Sequence, residues 1–132
     1  VEFNDKPINN KILLSGTKTK EYPARKKLNH ISGYNNNIDV LTNGIYLGHN
    51  YIKYLNSYLC CFTCCANKSL PYIIGKFFEI PSSGSLLFAY DEFVKSELVK
   101  LGFIDGENYI SCTLNNMEEK IAYIINPDNL NP

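Results

Sequence analysis

Short runs of almost uninterrupted apolar residues punctuate this chain: KILLSG at 11–16, YLCCFT at 58–63, SLLFA at 85–89 and YISC at 109–112. A strand without polar alternation has no face to turn to water, so it must be covered on both sides. Helices crossing between parallel neighbours supply that cover. The segments between the runs carry the matching signal. Residues 22–28 begin a helix with Pro23 in the tolerated first turn. Tyr51, Ile52, Tyr54, Leu55 and Tyr58 space an amphipathic helix over 49–57. Phe93, Val94, Leu98 and Leu101 space another over 91–101, ended by Gly102. Residues 29–37 read as a loop and 38–41 as a short second strand. Asn115 or Asn116 caps a last helix through Ile121, Ile124 and Ile125, which Pro127 stops. The expected fold class is α/β: a doubly wound, mostly parallel sheet of about five strands in one domain spanning 1–132.

A length of 132 residues suits one such domain and is too short for two of usual size. Thirteen basic residues balance thirteen acidic ones, so no overall field draws the protein to nucleic acid or an anionic membrane, and any anion site must be local. The longest apolar run, 57–66, falls far short of the roughly 20 residues that cross a bilayer. The first residues lack the charged-then-apolar pattern of a signal peptide. These features lead us to expect a cytoplasmic protein with no transmembrane segment. The abrupt start and stop read as a domain excised from, or part of, a longer polypeptide. Five cysteines, four of them in CCFTCC, do not have the spacing of a disulfide framework, and reduced thiols in a buried strand fit best. Cys61 and Cys64 have C-x-x-C spacing, but no second pair follows and His30 and His49 are isolated, so no metal site is expected.

The stretch 71–90, PYIIGKFFEIPSSGSLLFAY, holds the main anomaly. It reads as a short helix feeding a buried strand, with Gly84 as a left-handed cap between them. Helical periodicity turns Phe77, Phe78 and Ile80 to the core and groups Lys76, Glu79 and Ser83, leaving one carboxylate, Glu79, in an otherwise apolar face. Ligands of doubly wound sheets lie beyond the carboxyl ends of the strands, near the reversal of strand order. The loops after Gly16, Thr63 and Ala89 are therefore the ones that matter. Gly16, Thr17, Lys18 and Arg25, the only arginine, make a second candidate, because a planar guanidinium suits phosphate. The bland alternatives are a Glu79–Lys76 pair on a solvated helix and a solvated basic helix end at Arg25, Lys26 and Lys27. Tyr72 is a weak candidate for stacking on a base.

KFFEIPSSGSLLF (76–88) and ELVKLGFIDGENYISCTLNNMEEKIAYII (97–125) resemble the nucleotide-sugar-binding C-terminal half of GT-B glycosyltransferases, especially the group 1-like branch. The likeness extends through YIKYLNSYLCCFT (51–63) and, more weakly, to ILLSG and YPARK, covering most of the chain. It implies a Rossmann-like domain that binds a nucleotide-diphosphate sugar and belongs to an enzyme passing that sugar to an acceptor hydroxyl. The family's E-A-x-A-x-G-x-P-V stretch matches Glu79 through Leu87 by the Glu-to-Gly spacing. The match implies that Glu79 holds the ribose hydroxyls, with Ser83 and Gly84 in the same stretch and Gly75 and Lys76 opening the helix towards the diphosphate. Gly16, Thr17 and Arg25 would lie against the donor phosphates, although Thr17 and Tyr22 stand where the family has arginine and lysine. Pro71 stands where many relatives place a second acid, which touches the donor sugar. Between the first strand and His49 the chain is also about one β–α unit shorter than typical relatives. The resemblance implies no metal and no cofactor, and an acceptor site in a separate N-terminal domain, so this chain alone would bind its donor without turnover. A non-catalytic nucleotide or sugar-nucleotide binding module on the same fold is the alternative. A flavodoxin-like regulatory or protein-interaction domain is a third reading, resting on fold alone.

Overall fold

The computed structural model describes residues 9–15, 22–41, 49–65 and 76–126, with the side chains of 49–52 and 76 left aside. Strands and helices alternate throughout: β1 (Asn9–Leu14), α1 (Pro23–Ser32), β2 (Ile38–Val40), α2 (His49–Asn56), β3 (Tyr58–Cys64), α3 (Lys76–Ser82), β4 (Leu86–Tyr90), α4 (Lys95–Lys100), β5 (Ile110–Cys112) and α5 (Met117–Ile125). The five strands form one sheet in the order β2-β1-β3-β4-β5, and every neighbouring pair is parallel. The doubly wound, Rossmann-like α/β fold expected from the alternation is the fold observed.

The two faces are covered by different helices. Lys27 Nζ of α1 donates to the carbonyl of Leu114, and the Tyr34 hydroxyl donates to Glu118, so α1 and α5 share one face. On the other face, Asn56 at the end of α2 donates to the Ser83 carbonyl after α3 at 2.5 Å. Phe78 of α3 meets Phe103, just beyond α4, edge to face at 6.2 Å. β3 and β4 lie between these layers with nearly every side chain buried, which is why their sequences show no alternation. Phe62 and Phe88, opposite each other in the β3–β4 register, stack edge to face at 5.2 Å on the α1–α5 side.

Several elements differ from the sequence expectation. α1 runs to Ser32 instead of giving way to a loop at Asn29, because Leu28 and Ile31 continue the buried stripe begun at Ala24. It closes where the amides of Gly33 and Tyr34 reach the carbonyls of His30 and Ile31. α4 starts only at Lys95, since residues 92–94 make a turn closed by the Val94 amide on the Asp91 carbonyl at 3.0 Å. Phe78, expected in the core, is 45% exposed, whereas Phe77 and Ile80 are fully enclosed. Thr113 and Asn116 bond reciprocally, each amide to the other's side-chain oxygen at 2.7 and 3.1 Å, so the cap before α5 is a Thr–Asn box and not an asparagine alone. Gly84 takes φ 89° and Gly102 φ 93°, as the turns after α3 and α4 require. Among the described residues no helix is long and apolar enough to cross a membrane.

All five cysteines are buried and unbridged. Cys61 and Cys64 lie on one strand at an odd separation, so their thiols point to opposite faces and the C-x-x-C spacing cannot close on one ion. Among the described residues no group of three metal-ligating side chains exists. Burial pushes up the thiols of Cys60, Cys65 and Cys112. Burial, and then hydrogen bonding, does the same for the phenols of Tyr58, Tyr90 and Tyr109. The folded chain thus keeps protons that the unfolded chain releases. Its stability is fully present below the ordinary thiol value of about 8.5 and falls as pH rises from there towards the raised folded values, more steeply past the ordinary phenol value of about 10. Urea unfolding under reducing conditions should show a falling midpoint from about pH 8.5 to 10.5; a flat midpoint would contradict this account.

Candidate functional site

The strand order reverses between β1 and β3: β1 leads outward through α1 to β2, while β3, β4 and β5 proceed the other way. In open parallel sheets this reversal opens a crevice at the carboxyl edge. The edge is bounded by Ser15 after β1, Cys65 after β3, Asp91 after β4 and Thr113 after β5. α1 and α3 both begin from this edge, since each follows a strand that ends there.

Glu79 lies in the first turn of α3 and is partly exposed. Among the described residues no side chain pairs with its carboxylate. Lys76 opens the same helix, and its side chain is outside the described part. Ser83 and Gly84 sit at the far end of α3, towards the amino edge of β4. There the Ser83 hydroxyl donates to the Ile80 carbonyl at 2.6 Å and accepts the Ser85 amide at 3.3 Å, so this pair closes the helix and turns the chain. Arg25 is only 4% exposed, with its guanidinium 4.1 Å from the centre of the Tyr22 ring. A solvated basic end therefore describes Lys26, which is exposed, but not Arg25. A cation held by an aromatic face at the start of α1 keeps its charge near the carboxyl edge. Gly16, Thr17, Lys18, Pro71, Tyr72 and Gly75 fall outside the described residues.

Sequence reasoning missed the most enclosed charged side chain among the described residues of this edge. Asp91, 2% exposed, directly follows β4. It accepts the Tyr109 hydroxyl on one carboxylate oxygen and the Ser111 hydroxyl on the other, both at 2.7 Å. Burial raises the Tyr109 phenol first and the Asp91 bond adds to it, so Tyr109 stays a donor. Cys65, beside this carboxylate, is also pushed up, chiefly by burial, and is no nucleophile at neutral pH. Thr63, on the neighbouring strand, is 0% exposed, and its Oγ1 has no hydrogen-bond partner among the described residues. The next residue after Asp91, Glu92, is exposed and accepts the buried Tyr90 hydroxyl at 2.5 Å. One signal was legible: an acid placed directly after a strand buried along its whole length has to be paired or enclosed.

Comparison with protein-family profiles, with curated proteins and with solved structures finds no match to this chain.

The two hydroxyls on Asp91 tie β5 to β4. Asp91→Ala should lower unfolding stability by about 2–4 kcal/mol, since buried donors left unpaired cost about 1–3 kcal/mol each. Tyr109→Phe should lower it by about 1–2 kcal/mol, and the double variant should fall short of the sum. Strict additivity in denaturant unfolding would show that the pair is not coupled.

Proposed function

We propose that this chain is the donor-nucleotide-binding half of a GT-B glycosyltransferase, holding a nucleotide-diphosphate sugar for transfer to an acceptor hydroxyl. The observation that carries the reading is Glu79: a carboxylate on the first turn of a helix that starts from the carboxyl edge, with no pairing side chain among the described residues. Such a group suits two adjacent ribose hydroxyls, which donate to it and need no counter-cation. The strand order 2-1-3-4-5 is that of flavodoxin-like sheets, and it is also what remains of a six-stranded Rossmann sheet of order 3-2-1-4-5-6 without the strand at its β2 end, so it is compatible with this reading and with a flavodoxin-like domain alike. The strand removed lies between the first strand and the helix at His49, where the chain is about one β–α unit shorter than the family it resembles.

The described residues provide positioning groups. Arg25, fixed against Tyr22, would add positive charge near a diphosphate, and Gly75, Lys76, Gly16 and Thr17 remain assigned to the phosphates by the resemblance alone. Ser83 and Gly84 shape the helix end and are not proposed to touch the ligand. The acceptor and a catalytic base would come from another domain, so the expected property of this chain is binding. Pro71, standing where an acid would touch the sugar, favours a second reading: a nucleotide-binding module without transfer activity.

Calorimetric titration with uridine and guanosine diphosphates tests the nucleotide assignment. One of them should bind, and Glu79→Gln should weaken it roughly tenfold to hundredfold, as expected for hydrogen bonds to a charged group. If neither binds, or if the glutamine variant binds equally well, the assignment fails.

A further inference from the structure

We infer that Thr63 and Asp91 form a subsite for a hydroxyl of the donor's sugar, which rests on the donor-binding reading above. Thr63, Ala89 and Ser111 occupy one row across β3, β4 and β5, in register with one another. Side chains alternate along each strand, so this row shares a face with Cys61, whose thiol meets the Leu55 carbonyl and the Ser85 hydroxyl on the α2–α3 side. Asp91 lies two residues beyond Ala89 on the same face, and its bond to Ser111 brings the carboxylate back towards that row. The small Ala89 therefore lies between a hydroxyl that lacks a partner among the described residues and a carboxylate whose two oxygens each accept one bond and can accept another.

Two features set this arrangement apart from ordinary packing. A buried hydroxyl without a partner destabilises a fold, and valine would fill the same space without that penalty, so threonine here is a liability to the folded chain alone. Asp91 is held by Tyr109 on one oxygen and Ser111 on the other, which fix its orientation. A sugar hydroxyl complements both: it donates to the carboxylate and exchanges a hydrogen bond with Thr63. Both groups are enclosed, so a bond formed to either is stronger than at the surface. The subsite places an acid at the carboxyl end of β4, whereas Pro71 leaves none at the position expected from the resemblance.

The test compares uridine diphosphate with uridine diphosphate glucose and N-acetylglucosamine, and guanosine diphosphate with guanosine diphosphate mannose, by calorimetry. For the wild type, one sugar nucleotide should bind more tightly than its own diphosphate. In Thr63→Val that gain should fall by about tenfold while diphosphate affinity is unchanged and the ligand-free melting temperature is equal or higher. Asp91→Asn, which keeps the shape and one acceptor, should also reduce the gain. If diphosphates bind but the sugar adds nothing, or if Thr63→Val keeps the full gain, the subsite is overturned and the nucleotide reading stands. If no diphosphate binds, both fall together.

Discussion

β3 and β4 expose almost no side chain to water, and the rest of the structure follows from covering them. Each strand needs a helical layer above and below, so the chain has to leave every strand by a helix and return parallel. Burying one large apolar side chain is worth about 1.5–3 kcal/mol, and the central strands hold Phe62, Leu87, Phe88 and Tyr90 within a few residues of one another. The cover is shared unequally, with α1 and α5 on one face and α2, α3 and the α4 region on the other. That division goes with the reversal of strand order between β1 and β3.

Polar groups inside such a sheet are informative because most have no reason to be there. Asp91 and its two hydroxyl donors join β4 to β5 where the sheet approaches its edge and main-chain pairing is short. Asp105 acts similarly from outside: its carboxylate accepts the Ser111 amide at 2.9 Å, covering part of the open side of β5. Asn108 closes the preceding loop, accepting from the Ile104 amide and donating to the Gly102 carbonyl. Within this framework Thr63 stands out, because its hydroxyl joins none of these networks.

Much of the fold was legible. Unbroken apolar runs identified the central strands, glycines at 84 and 102 marked turns that need left-handed backbone, and Pro23 marked the start of α1. What escaped depends on contacts distant in sequence. Phe78 sits in a helical pattern that suits the core, yet it points outward and leans on Phe103, twenty-five residues away, because Phe77 and Ile80 already fill the inner face. Arg25 belongs to a basic triplet that reads as solvated, but it is buried with its guanidinium over the ring of Tyr22. Ser83 shares a helical face with Glu79 on paper, but its hydroxyl is taken up by the end of its own helix.

The candidate site divides in the same way. Glu79 could be picked out from the chain alone, because a carboxylate amid apolar helical neighbours is a local contradiction that needs no partner to be noticed. Asp91 and Thr63 could not be joined that way: their proximity comes from the parallel register of β3 with β4, and Tyr109 reaches Asp91 only once β5 has docked beside them. Local propensity and apolar spacing act over a few residues and were enough for the alternation, the class of sheet and the lone carboxylate. Strand order and the burial of Asp91 and Thr63 are decided by which strands pair and which faces are covered, and those are properties of the packed chain.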